Sequence, residues 1–97
     1  MFNLFGQNAI GESQNTNGVD FATLQKARKD LIGEIQAIID YDDHIEGSDN
    51  NMAKQTWTHI RDEELVHVGE LLALLDYLAP YQKTLVEKGV QEFNKLK

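Results

Sequence analysis

Residues 61–78 read RDEELVHVGELLALLDYL, and the direction in which Glu64 and His67 point decides what this helix is for. At about 100° per residue, Trp57, Ile60, Val68, Leu71, Leu75 and Leu78 all fall within about 40° of Glu64, and His67 lies about 60° away. Glu64 therefore sits in the middle of the apolar stripe. An ionised carboxylate on such a face needs a partner, because an isolated buried charge is costly enough to drive protonation instead.

The helical pattern extends in both directions from this stretch. Upstream it begins at about Asn50, and downstream it reaches Ala79, where Pro80 cannot continue a helix but fits the first turn of a new one. Tyr81, Leu85, Gly89, Phe93 and Leu96 give that third, shorter helix an apolar side. Before the turn, Asp20 is an N-cap for a run in which Phe21, Leu24, Ala27, Leu31, Ile35, Ile38 and Ile45 recur at helical spacing. Gly47 is expected to end that helix in a left-handed C-cap, and Ser48 or Asp49 to cap the next. No strand-like alternation and no internal repeat is present. The expected fold is all-α: a long antiparallel two-helix hairpin plus a short C-terminal helix, over residues 20–97. Residues 1–19, rich in Asn, Gln, Gly, Ser and Thr, read as a flexible N-terminal arm, with Phe2, Leu4 and Phe5 forming an apolar tip.

Composition narrows the function classes. The 97 residues carry a formal net charge of -7, which argues against nucleic acid, whose phosphates demand a basic face, and against an anionic membrane surface. There is no cysteine, so disulfides, iron–sulfur clusters and thiolate zinc sites are excluded; this is compatible with a reducing cytoplasm. The beginning of the chain lacks the basic region and apolar core of a signal peptide. No run reaches the roughly 18 apolar residues of a transmembrane helix.

On the first helix, Glu34 repeats the anomaly of Glu64. Ala27, Ile38, Tyr41 and Ile45 lie within about 40° of it, with Leu31 at about 60°. At about 1.5 Å per residue, Glu34 stands ~18 Å from the end of its helix and Glu64 ~21 Å from the start of the next. Glu34, Glu64 and His67 can therefore converge. Carboxylate oxygens with an imidazole nitrogen suit iron or manganese, and zinc is a further substitute. Bundles that hold two metals draw a Glu from each of two helices and a Glu-x-x-His from each of two others. This chain carries one of each, which is half a site. A two-fold dimer would supply two of each, and four carboxylates would balance two divalent ions. Asp62, Glu63 and Glu70 belong by contrast to a solvated acidic face.

Glu34, the segment Asp40-Tyr41-Asp42, and above all Arg61-Asp62-Glu63-Glu64 followed by His67 resemble the encapsulated ferritins over roughly residues 20–80. The resemblance implies a ferritin-like four-helix arrangement completed by dimerisation, and dimers that close into an annular decamer. It implies a ferroxidase that oxidises Fe(II) with oxygen, two irons per dimer, inside an encapsulin shell in the cytoplasm. Glu34, Glu64 and His67 become the ligands, and Tyr41 matches a tyrosine beside the centre, in steering metal or electrons or in packing. Two features depart from the family. Gly33 and Gln36 stand where some members place extra acidic residues for iron uptake. The usual C-terminal encapsulin-targeting peptide is not visible in VQEFNKLK (residues 90–97): either the signal lies elsewhere, with the N-terminal FNLFG (residues 2–6) a candidate docking peptide, or the protein is detached from a shell-fused form, or it is not cargo.

Other readings weigh less. A metal-independent helical scaffold would use Glu64 and His67 as mutually hydrogen-bonded core groups. A ferritin-like two-metal protein with another redox role shares the same ligands. An EF-hand in DYDDHIEGSDNN (residues 40–51) has Ile45 in place of the turn glycine and Asn51 in place of the bidentate Glu. A hemerythrin-like carrier has only His44, His59 and His67 to draw on, and no hydrolase triad or glycine-rich elbow is present.

Overall fold

The computed structural model describes residues 18–97 and contains three helices, α1 (Phe21–Glu46), α2 (Asn51–Leu78) and α3 (Pro80–Leu96), with no strand among the described residues. The fold is all-α. The expected arm up to residue 17, including FNLFG, lies outside the described residues.

The helix starts follow from local chemistry. Asp20 caps α1 twice: its Oδ1 accepts from the Thr23 backbone N–H at 3.1 Å and its Oδ2 from the Thr23 hydroxyl at 2.6 Å. These bonds hold the Asp20 carboxyl below its ordinary value. The cap of α2 is neither Ser48 nor Asp49 but Asn50, whose Oδ1 accepts from the Ala53 N–H at 2.9 Å. The Ser48 hydroxyl oxygen instead accepts from the Asn50 N–H at 3.1 Å, so two polar side chains in series bring the chain into α2.

Gly47 also differs from expectation. Among the described glycines the positive φ belongs to Gly18, at 81°. Gly47 keeps a helical bond to the Asp43 carbonyl at 3.0 Å, and a Cβ there would stand 3.2 Å from that same oxygen. Glycine serves a close approach at this turn rather than a left-handed cap. Pro80 sits in the first turn of α3, behind an Ala79 that offers no side-chain cap.

The described chain divides into two compact units. One, Ala27–Leu74, holds most of α1 and α2 as an antiparallel hairpin. Its helices are tied by Arg61, whose Nη1 donates to Asp42 Oδ1 at 2.7 Å while Nη2 reaches Asp62 at 3.1 Å. Both bonds favour the charged guanidinium and push its pKa up. The segment around Asp42 is helical through Glu46 and forms no calcium-type loop. The second unit takes in the described residues up to Lys26 together with Leu75–Lys97. Leu24 and Ala79, both fully buried, are its apolar centre.

Burial is sparse. Leu24, Ala27 and Ala79 are the buried hydrophobic residues among those described, whereas Ile32 and Val66 in the hairpin are 68% and 63% exposed. In α3, Leu85, Val86 and Phe93 are exposed as well. A single copy leaves its helix faces uncovered, and contiguous uncovered apolar faces mark association surfaces.

Candidate metal centre

Glu34, on α1, and Glu64 and His67, on α2, all belong to the Ala27–Leu74 hairpin. Each offers one ligand atom, and these atoms lie within 4.8 Å of one another. Among the described residues this is the cluster of three or more His, Asp or Glu side chains able to hold an ion.

The imidazole organises the cluster. His67 Nδ1 stands 2.9 Å from Glu64 Oε1 and 3.4 Å from Glu34 Oε1. Carboxylates can only accept, so Nδ1 carries the proton and donates. The Glu64 bond, and then the Glu34 bond, favour the imidazolium and push the His67 pKa up, against a smaller opposing effect of burial. The Glu64 and Glu34 side chains are 19% and 26% exposed and His67 is 50% exposed. That gradient places the carboxylates inside and the histidine at the rim. The Nδ1 proton holds the position between nitrogen and oxygens that a cation would take.

The cluster opens on a groove of about 490 Å³ lined by Lys29, Asp30, Gly33, Glu34, His67, Glu70, Leu71 and Leu74. Open space surrounds the Cα of Gly33, with nothing within 4 Å of a Cβ built there. Gln36 is tied to its own helix, its amide donating to Asp40 Oδ1 at 3.0 Å. The carboxylates lining the groove beyond Glu34 are Asp30 and Glu70. Glu63 faces elsewhere and pairs with His59 at 3.4 Å, both side chains well exposed.

Tyr41 is not brought into the cluster. It lies two turns beyond Glu34 on α1, half-buried, with its ring 6.1 Å from that of His44 in an edge contact. His44 in turn meets Trp57 at 5.1 Å, again edge-on. The sequence reading placed Trp57 on the apolar stripe and left His44 without a role. Spacing puts His44 one helical turn after Tyr41, but nothing periodic links it to Trp57, which lies on the other helix.

Three ligand atoms of this kind cannot saturate even one octahedral ion, and a hard cation would draw its remaining ligands from water or from a second copy. The chemistry available is binding of a divalent ion by two anionic oxygens and one neutral nitrogen, with loss of the His67 proton.

No family model and no curated protein matches the chain. A solved structure does. The encapsulated ferritin domain from Pyrococcus furiosus, determined by crystallography, is 30% identical, with a TM-score of 0.76 over 78% of this chain and 78% of its own length.

Proposed function

This chain belongs to the encapsulated ferritins, and from that premise we propose that it is a ferroxidase whose site is shared between two copies. The observation that carries the reading is the meeting of Glu34, Glu64 and His67 within 4.8 Å beside an open groove. It is half of the ligand set that a two-metal carboxylate centre requires. A two-fold contact places two such halves face to face, because in an isologous interface each residue is matched by its counterpart. The uncovered apolar residues of the hairpin support association.

In this reading Fe(II) is the substrate. Two Fe(II) bind among Glu34, Glu64 and His67 of both copies, and four carboxylates neutralise their charge. His67 must surrender its Nδ1 proton for the nitrogen to coordinate. Dioxygen would accept one electron from each iron and two protons from water, leaving as hydrogen peroxide, and the Fe(III) formed would leave for storage elsewhere. Glu34, Glu64 and His67 of each copy would hold the two irons and keep them close enough to react together. Manganese and zinc, which share these ligands, compete for the site.

The same reading extends to the wider setting that the resemblance implies. The dimers close into a ring, with a decamer as the expected size, and the protein works in the cytoplasm as cargo of an encapsulin shell. No described helix is long and apolar enough to cross a membrane.

Replacing Glu34 or Glu64 by Ala tests the assignment. Each variant should oxidise Fe(II) no faster than the protein-free blank. Undiminished oxidation in either would remove that residue from the site. The hydrogen bonds of His67 to both carboxylates also fit a metal-independent scaffold, and then neither substitution nor iron would change how the protein assembles.

A further inference from the structure

Polar contacts cross from α1 to α2 on both flanks of the centre. With the face shared by Glu34 and Glu64 as zero, Asp42 lies about 80° round α1 and Arg61 about 60° round α2, in the same sense. In an antiparallel pair, rotations of one sense from the shared face lead to one flank. There the two meet, Arg61 Nη1 donating to Asp42 Oδ1 at 2.7 Å. His67 lies about 60° from Glu64 in the other sense, as do Gly33 at about 100° from Glu34 and Glu70 at about 120° from Glu64. Gly33 and Glu70 line the groove. The groove therefore opens on the flank of His67, and the Arg61–Asp42 contact closes the opposite one.

The two contacts differ in permanence. His67 reaches Glu34 through its Nδ1 proton at 3.4 Å, and an ion that takes this place breaks the bond. The Arg61 contact uses no ligand atom. Its Nε and Nη2 both reach Asp62 Oδ1 at 3.1 Å on their own helix while Nη1 crosses to α1. A planar fork engaged at three nitrogens has a fixed direction, which makes the side chain a strut. Apolar packing within one copy does little of this work, since Ala27 is the buried hydrophobic residue of the Ala27–Leu74 unit among those described.

We propose that Arg61 is a positioning residue for the centre: through Asp42 it fixes the register and rotation of α2, so that Glu64 and His67 stay opposite Glu34 while metal enters from the groove. This rests on the metal-binding part of the ferroxidase reading. A rotation of α2 by about 10° carries a side-chain tip, about 5–6 Å from the axis, through about 1 Å. Lost support around a metal site costs about 10–100-fold in affinity.

The probe is Mn(II), its binding to the full chain read as loss of the free-ion electron paramagnetic resonance signal at one pH and protein concentration. Arg61→Met removes the donors and keeps the stem, Asp42→Ala removes the acceptor, and a combined variant removes both. Arg61→Lys keeps the charge without the fork. Each single variant should bind Mn(II) about tenfold more weakly or worse. The combined variant should be no weaker than either single one, because both ends belong to one contact. Circular dichroism should show the helix content of the parent throughout. Should an uncharged variant unfold, Arg61→Lys, with every charge in place, decides alone. A mere field effect has another pattern: loss of the Arg61 cation tightens Mn(II) binding, loss of the Asp42 anion weakens it, and Arg61→Lys leaves it unchanged. That pattern, losses that add in the combined variant, or parent affinity in all of them would overturn the strut and leave the metal site standing. A parent that binds no Mn(II) would instead overturn the metal-binding reading itself.

Discussion

Glu34→Gln should stabilise the metal-free protein at high pH and abolish its stabilisation by metal. The ligand oxygens of Glu34 and Glu64 lie no more than 4.8 Å apart. Two unit charges at that distance repel by about 3.5 kcal/mol at an effective dielectric near 20, and by roughly half as much where groove water doubles the screening. Losing one charge-assisted hydrogen bond to His67 offsets part of this, which leaves a net gain of about 1–2 kcal/mol. For a domain of this size that is roughly 4–16 °C in Tm. The gain depends on the state of His67. Its pKa is raised by Glu64 and Glu34, so the favourable imidazolium contact is fully present below the unfolded value of about 6.5 and is lost as pH rises through the raised native value. Below that window the imidazolium compensates both carboxylates, and Glu34→Gln should then bring no gain or a small loss. Above it the two anions face each other unshielded, and the gain should be complete. The assay is far-ultraviolet circular dichroism melting at fixed protein concentration, on both sides of the window, with chelator or with Mn(II), which air does not readily oxidise. A variant less stable than the parent at both pH values, and stabilised by Mn(II) to the same extent, would refute the charge account of the site.

Three further outcomes follow from the same structure. Metal affinity should climb with pH past the ordinary histidine range, because the ion displaces the His67 proton that both carboxylates hold; a titration in which affinity is flat with pH would contradict coordination through that nitrogen. Asn50→Ala removes the side-chain acceptor for the Ala53 N–H and should cost about 1 kcal/mol, or roughly 4–8 °C in Tm, whereas Ser48→Ala should cost less in the same melts. Leu24→Ala empties the position of a fully buried large side chain and should cost about 2–5 kcal/mol, read as a fall in the denaturant midpoint at constant slope.

The three helices were legible because their stripes are long and regular, and Asp20 and Pro80 announced two of the starts. The α1–α2 turn was misread in its details. Ser48, Asp49 and Asn50 are all good N-caps, and choosing among them depends on which side chain the backbone aims at Ala53, which composition does not encode. Gly47 was assigned a left-handed conformation from its position after a helix, yet its advantage is the 3.2 Å approach to the Asp43 carbonyl. At the site, helical spacing brought Glu34, Glu64 and His67 to one level. It could not order their exposure, with His67 at the rim, because that depends on side-chain direction. The Arg61–Asp42 link joins residues nineteen apart in the chain and leaves no periodic trace. The aromatic chain was hidden for a similar reason: His44 lies off the apolar stripe and matters only through its contact with Trp57.

Native mass spectrometry after anaerobic addition of Fe(II), with Glu34→Ala beside the parent, tests the shared ferroxidase site most directly. The account predicts two irons per pair of chains in the parent and none in the variant, at subunit stoichiometries divisible by two. An assembly of one size in both, free of iron in both, would contradict it and make Glu34, Glu64 and His67 a hydrogen-bonded group within a helical scaffold.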